Sequence, residues 1–500
     1  MEKRAQIPVN LPVADPLHSY WHIPKSPLAN LIEPEPDQED QKYDYAIIGS
    51  GISGTVIAYN LLKSHPSARI VMLEAREACG GATGRNGGHT KAASYRSYLQ
   101  HKADLGKEEA LKIARLEYNN IVETHQLAKD LGVDCENQKC DTVDAIYDQE
   151  TFENGKKAIE ALRIDATEKE REEGGMAWYK IYAAEEAMAR FHLDDKNRNP
   201  EVDEDEPLAG AFEYMAGRVN AYRLATGILK ICVQKGLRLC TTTPVNEVRS
   251  STKTGAGAPK YDVQTPHSII STDSVIFATN GYTPYLLSPF QGLIVPLRGQ
   301  ITAQRPGKAT TLPSPLRTTY SFIYKSGYEY MIPRPLPEGG QHIVIGGGLL
   351  RQPEGAASEY GTVDDSTLVD SISKYLCGSL VGYFGRENWG ETDDEGGDRI
   401  VQEWTGIMGE TADGRPFVGE VPGKPGQFMS AGFNGHGMVL CLKSAEALVE
   451  IIGGVKPEDI DWFPQSFLVT EDRIKNSSFH GRASAHAPET GRRSVEIEAS

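Results

Sequence analysis

Residues 43–76, YDYAIIGSGISGTVIAYNLLKSHPSARIVMLEAR, string together a strand, a glycine loop, a helix, a second strand and a terminal acid. No other stretch restricts the possible fold so strongly. Tyr45-Ala46-Ile47-Ile48 is a short apolar run of the kind a buried parallel strand needs. Gly49, Gly51 and Gly54 follow in GxGxxG spacing. The first suits a tight turn, the second lets backbone approach a pyrophosphate, and the third permits close helix–strand packing. Ser50 and Ser53 lie inside that loop, and Thr55 to Lys63 continues with helical spacing. The amides and dipole at such a helix start favour phosphate. Arg69 to Leu73 is the next strand, and Glu74 closes it, 25 positions after Gly49. A carboxylate there accepts both hydroxyls of an adenosine ribose and repels a 2′-phosphate. The unit therefore reads as a dinucleotide site. The alternative is an ordinary glycine-rich βα turn.

Composition removes several classes of function. With 39% hydrophobic and 24% charged residues in 500, the chain can bury a substantial core. A net charge of −17 without a basic stripe argues against nucleic acid. Acid clusters at 33–40, 194–206 and 387–398 read as solvated loops. Seven scattered cysteines without a CxxC pair suit free thiols in a reducing compartment, not disulfides or a metal site. The best apolar stretch, Met438–Val455, is broken by Lys443, Glu446 and Glu450, so no membrane span is expected. With no apolar leader and no peroxisomal address at the final Glu498-Ala499-Ser500, the expected location is the cytoplasm.

Along the chain, residues 1–42 read as a proline-rich and acidic arm with an aromatic island at Tyr20-Trp21-His22. A glycine-dense loop, 80–89, follows the nucleotide unit. Helices are expected at Asp104–Leu131, Glu150–Glu173, Arg223–Lys235 and Ser366–Leu380. Strands are expected at Ala145–Tyr147, Ser274–Ala278, Leu293–Gln304, Ser321–Tyr324, Glu329–Pro333, His342–Gly346 and Phe428–Ala431, with Ile400–Gly419 beside them.

With the GSGISG unit, Glu74, the Gly80–Gly88 loop, Ala278-Thr279-Asn280-Gly281 and the closing Gly432-Phe433-Asn434-Gly435-His436-Gly437-Met438, the chain resembles the D-amino-acid oxidase family. These are FAD-dependent oxidoreductases of the glycine oxidase and sarcosine oxidase group. Its strongest likeness is to the gamma-glutamylputrescine oxidase branch and fungal-type relatives. The resemblance implies an α/β fold: a discontinuous, glutathione-reductase-like FAD-binding Rossmann domain, plus an α+β substrate domain whose mixed sheet roofs the flavin. On that basis residues 43–100, 205–290 and 400–472 form the FAD-binding domain. Residues 101–204 and 291–399 form the substrate or cap domain, with a disordered tail at 473–500.

The resemblance places Arg76, Thr83, Arg85, Asn86 and Gly87 along the adenine and ribityl portions, and His89 is a further candidate for cofactor binding. Val245 brackets adenine, Gly281 approaches the pyrophosphate, and Asn434, Gly435, Gly437 and Met438 meet the flavin edge. The strand Glu403–Gly409 lacks the cysteine that tethers flavin in some relatives, and His89 follows a different motif from a tethering histidine. FAD is expected to be non-covalent. The implied reaction is hydride transfer from a CH–NH bond of a small amine or amino acid to flavin N5, with oxygen or another acceptor reoxidising the flavin. Two readings compete: a tailoring flavoenzyme acting on a larger metabolite, and an FAD-stabilised scaffold without turnover. Candidate catalytic residues are His436, Lys91, Lys325, Tyr324 and Tyr330, with Tyr328 and Trp404 as further pocket aromatics. Arg298 and Arg334 are the candidate carboxylate anchors. No metal site is expected.

Overall fold

The computed structural model describes residues 1–31, 42–391 and 399–479 and contains two large sheets. The first is built on the opening unit. Strand Lys42–Ile48 lies between Ile70–Leu73 and Ile269–Phe277, parallel to both, with Ile48 level with Leu73 and Phe277. Gln427–Ala431 and Arg238–Cys240 extend the parallel core on either side. Phe417–Glu420 and the hairpin strands Glu247–Ser250 and Tyr261–Gln264 add antiparallel pairs.

Side chains alternate between two cores, as strand pleating requires. Ile47, Met72 and Ile276 pack with helices Ile52–Ser64, Ala221–Gln234 and Cys441–Ile452, whereas Ala46, Ile48, Val71, Leu73, Val275 and Phe277 pack on the opposite face. Both faces are covered, which is why these strands read as unbroken apolar runs.

The second sheet runs in the order Ile400–Thr411, Ile294–Gln304, Gln341–Gly346, Gly327–Pro335, Thr319–Tyr324, Gln138–Ile146, Gly210–Arg218 and His89–Thr90, and Lys180–Ala183 pairs with Gly210–Arg218. It is mixed: only Thr319–Tyr324 with Gln138–Ile146 is a parallel pair. Helix Asp370–Phe384 packs on one face against Tyr320 and Phe322. On the other face, Ile301, Gly346, Tyr330, Ser321 and Asp144 stand in one row across the strands.

Several expectations change. The strands Gly210–Arg218 and Ile400–Thr411 belong to the second sheet, not to the nucleotide sheet, and so does the short His89–Thr90. The proposed boundaries at 100, 205 and 400 therefore cut through that sheet. The expected helix from Asp104 is two helices, Tyr95–Leu105 and Lys107–Asp130, broken where Gly106 takes a φ of 85°. The expected strand Ser274–Ala278 starts earlier, as part of one continuous strand, Ile269–Phe277. The tail is ordered through residue 479: helix Glu471–Asn476 is pinned where Arg473 forks onto Asp413, at 2.8 and 3.0 Å, and Phe479 is buried. Residues 480–500 lie outside the described residues, as do most of the acid clusters at 33–40 and 387–398. Within the cluster at 194–206, Glu206 is buried and forked to Arg351 at 2.6 and 2.9 Å.

Candidate active site

The three glycines of the opening loop are dictated by their neighbours. A Cβ on Gly54 would sit 2.0 Å from the carbonyl oxygen of Gly49, and one on Gly49, at φ 103°, would sit 2.5 Å from that of Ala278. A Cβ on Gly51 would press the Thr83 hydroxyl at 3.0 Å. Glu74 accepts from the Ser50 amide (3.0 Å), the Ser50 hydroxyl (2.6 Å) and the Arg76 amide (3.0 Å), so it fixes the loop from its strand end.

From this loop a single cavity of about 750 Å³ runs to the closing segment Phe433–Met438. That volume lies high in the range of roughly 300–1,000 Å³ found for ligand sites. Its walls include Gly49, Gly51, Ser53, Glu74, Arg76, Thr83, Arg85, Asn86, Gly87, His89, Lys91 and Val245 from the early and middle chain. Tyr328 and Tyr330 come from the second sheet, and Asn434, Gly435, His436, Gly437 and Met438 from the late chain. The Tyr330 ring lies on the backbone of Gly87, where a Cβ would meet it at 2.5 Å.

Many lining residues have their polar atoms engaged by protein. Arg76 forks onto Asp365 at 2.8 and 3.0 Å. Arg85 donates to Gly80, Thr405 and Leu17 carbonyls. Asn86 donates to the carbonyls of Ala82 and Thr83 and accepts from the Gly88 amide, and the Thr83 hydroxyl caps Ile52. Asn434 accepts from the Thr411 amide and donates to Gly432. His89 meets the hydroxyls of Thr319 (2.6 Å) and Thr142 (3.3 Å), and burial holds its pKa well below the usual value. These side chains shape the cavity through loop geometry.

At the substrate-sheet end three basic groups converge. Lys91 donates to the fully buried Asp144 at 2.5 Å and to the Ser321 hydroxyl. Asp144 also accepts from Tyr95 (2.7 Å) and Tyr214 (3.0 Å). Burial lowers the Lys91 pKa to about 8 although Asp144 opposes it. His436, enclosed by protein yet open to the cavity, is lowered to about 4 by burial and by the positive charges of Arg96 and Lys91. It is therefore neutral at ordinary pH. Arg96 lines the same space, its guanidinium stacked 4.1 Å over the Tyr328 ring. Among the described residues no hydrogen bond or ion pair engages that guanidinium. Glu117, hydrogen-bonded to Ser94 at 2.5 Å, also lines the cavity, and burial raises its pKa to about 7.

Other candidates lie elsewhere. Lys325 is exposed in the turn after Thr319–Tyr324. Tyr324 shares the back face of the sheet with Tyr320 and Phe322 by strand alternation, and Arg351 stacks on it at 3.4 Å. Trp404 donates to the Arg85 carbonyl and stacks on Tyr20. Arg298 is paired with Glu359 at 2.6 Å, and Arg334 forks onto Glu136, so neither is a free carboxylate anchor. Gly281 abuts the Met408 carbonyl instead of lining the cavity, while its neighbour Asn280 accepts from the amides of Gly432 and Phe433 and ties the two loops together. Ser50 and Gly54 lie behind the lining, supporting the loop. Arg96 and Glu117 were absent from the sequence reading; each carries an ordinary helix-surface letter.

The cavity also fits an extended dinucleotide by its unfilled valences. The Tyr282 hydroxyl lines it, is buried, and has no partner among the described residues. The helix Ile52–Ser64 starts at Gly51 without a side-chain cap from that residue. A Rossmann-type sheet with a glycine turn, joined to a mixed sheet over one long cavity, defines a two-domain flavoprotein of the oxidoreductase type. The family model described as "FAD dependent oxidoreductase" matches residues 44–451, and the chain belongs to that family; its cofactor is FAD.

The chain is 25% identical to a glycine oxidase of Geobacillus kaustophilus over 241 residues, 47% of this chain and 54% of that protein. It is 24% identical to a D-amino acid dehydrogenase of Cereibacter sphaeroides over 243 residues, 48% of each. It thus spans about half the length of these curated relatives. Among solved structures, glycine oxidase from Geobacillus kaustophilus superposes with a TM-score of 0.63 at 20% identity, covering 86% of this chain and 99% of the other. L-proline dehydrogenase from P. horikoshii gives 0.58 at 18%, covering 85% and 98%. At these identities the structural likeness concerns the fold. No helix among the described residues is long and apolar enough to cross a membrane.

Proposed function

We propose that the protein oxidises the CH–NH bond of an amino acid or a carboxylate-bearing secondary amine, with oxygen or another acceptor taking the electrons onward. FAD, when bound, supplies the hydride acceptor. The observation that carries the reading is Arg96: a guanidinium with no hydrogen bond or ion pair among the described residues, stacked on Tyr328 and open to the cavity beside His436 and Lys91. A carboxylate fits its planar fork in bidentate fashion. The relatives' names, glycine oxidase and D-amino acid dehydrogenase, point to the same substrate class.

In this reading Glu74, Ser53, the loop Gly49–Gly51 and Val245 hold the nucleotide end, and Gly435, His436 and Met438 the redox end. FAD is held without a covalent bond: Glu403–Gly409 carries no cysteine, and His89 Nε2 meets the hydroxyls of two threonines. Arg96 fixes the substrate carboxylate, and the Tyr328–Tyr330 wall and neutral His436 exclude water around the reacting carbon. Lys91, steadied by Asp144 and Ser321, adds positive charge.

Anaerobic addition of amino acids and of amines lacking the carboxylate tests this. Loss of oxidised-flavin absorbance with the former and not the latter is expected. Bleaching by simple amines alone, or by neither group, would refute it.

A further inference from the structure

The amino-terminal arm does more than pack its aromatic island on the body. Its outer part is held by one side chain and one neighbour: Gln291 donates to the carbonyls of Ala5 (2.8 Å) and Ile7 (2.9 Å) and accepts from the Val9 amide (3.4 Å). Arg4 donates to the carbonyls of Ser358 (2.5 Å) and Tyr360 (2.7 Å). Its inner part is fixed where the Ser19 hydroxyl donates to Gly84 (2.7 Å), the Leu17 amide to Asp365 (2.9 Å), and the Tyr20 hydroxyl meets His342 (2.7 Å). Between these anchors Asn10, Leu11 and Pro12 line the cavity itself.

The route of that bridge is informative. Arg76, which donates to the Val13 carbonyl, lies just past strand Ile70–Leu73, and Gln291 lies in the helical connection that leaves strand Ile269–Phe277 for the second sheet. These two strands flank Lys42–Ile48 and its glycine turn. Lining the same cavity as Gly49 and Gly51 and bonded to Arg76, the arm lies over the crevice outside the carboxyl ends of the parallel strands, where open α/β sheets bind their ligands. Arg76 and Arg85, two loop residues expected to reach for FAD, instead spend donors on the carbonyls of Val13 and Leu17. Pro12 and Pro16 stiffen the crossing, and Ala14 and Asp15 face outward.

We propose that the arm belongs to the cofactor site: residues 10–16 are a strap over the adenosine half of FAD, latched by Gln291 and Arg4 and seated by Arg76 and Arg85. Bound FAD and the seated strap then stabilise one another, and cofactor exchange requires the latch to open. The inference rests on FAD as the occupant and on no substrate. Its test reads cofactor retention, so an enzyme that holds FAD firmly but ignores amino acids would count only against the proposed reaction.

The test uses the full chain loaded with FAD. Cleavage at Asp15 by an aspartate-directed protease, followed by mass spectrometry, should slow several-fold on adding FAD to stripped protein. In Arg4→Ala/Gln291→Ala, FAD release, followed by the rise in flavin fluorescence on dilution, should quicken by about tenfold, the effect of losing a few net hydrogen bonds. Equal cleavage with and without FAD overturns the proposal, and so does release within about twofold of wild type. Should the double variant fail to fold, the wild-type cleavage ratio decides alone.

Discussion

Replacing Arg96 by methionine keeps an apolar stem against Tyr328 and removes only the charge. Truncating one member of a buried charge pair costs about 2–5 kcal/mol in binding. Lys91 remains nearby and the cavity admits water, so the lower end applies: about 2 kcal/mol, or about 30-fold in affinity. Anaerobic titration of the flavin with an amino acid reads this directly as a rise in the half-saturating concentration. Because no carboxylate pairs with Arg96 among the described residues, the folded protein loses no ion pair, and Tm should stay near that of wild type. Arg351→Met is the contrasting case: it breaks the fork onto buried Glu206 and should destabilise by about 3 kcal/mol. An Arg96→Met enzyme that binds amino acids as tightly as wild type, or that unfolds as Arg351→Met does, would refute the assignment.

His436→Ala should leave FAD bound and slow flavin reduction by about tenfold, since its neutral ring borders the reacting space; an unchanged rate in stopped-flow removes it from the site. Burial sets the Lys91 pKa near 8, so its ammonium is present below that pH and lost above it. Amino-acid oxidation should therefore decline as pH rises through about 8, and Lys91→Met should abolish that step; a decline that survives the substitution belongs to another group. Glu74→Ala removes the acceptor of the Ser50 amide and hydroxyl, and FAD retained after gel filtration should fall sharply; full retention would count against its ribose role.

What the sequence disclosed and what it withheld divide along the range of the interactions. Gly51, Gly54 and Glu74 were legible because each answers a neighbour within a few dozen residues, and Gly49 because its own φ is 103°, although the atom that would collide belongs to Ala278. The arginines were not. Arg298, Arg334 and Arg96 carry the same letter, and only partners remote in sequence separate them: Glu359 and Glu136 neutralise the first two, while the Arg96 guanidinium, among the described residues, lies on an aromatic face without an ion pair. Tyr324 was misplaced for a subtler reason. A one-residue change of parity moves a side chain to the other face of a sheet, and nothing local says which face roofs the cavity. The strand Gly210–Arg218 escaped because its glycines and Glu213 mask the alternation, although Glu213 is buried against Tyr182. The arm looked like an appendage because its contacts reach Gln291, His342 and Tyr360, some hundreds of residues away.

A crystal structure of the flavin-loaded protein tests the central claim most directly. The account predicts one extended FAD, its adenosine ribose on Glu74 and its isoalloxazine against Gly435 and His436. Density that leaves the space between the Gly49–Gly54 turn and His436 without a flavin, or turns the ring away from Arg96 and His436, would contradict it.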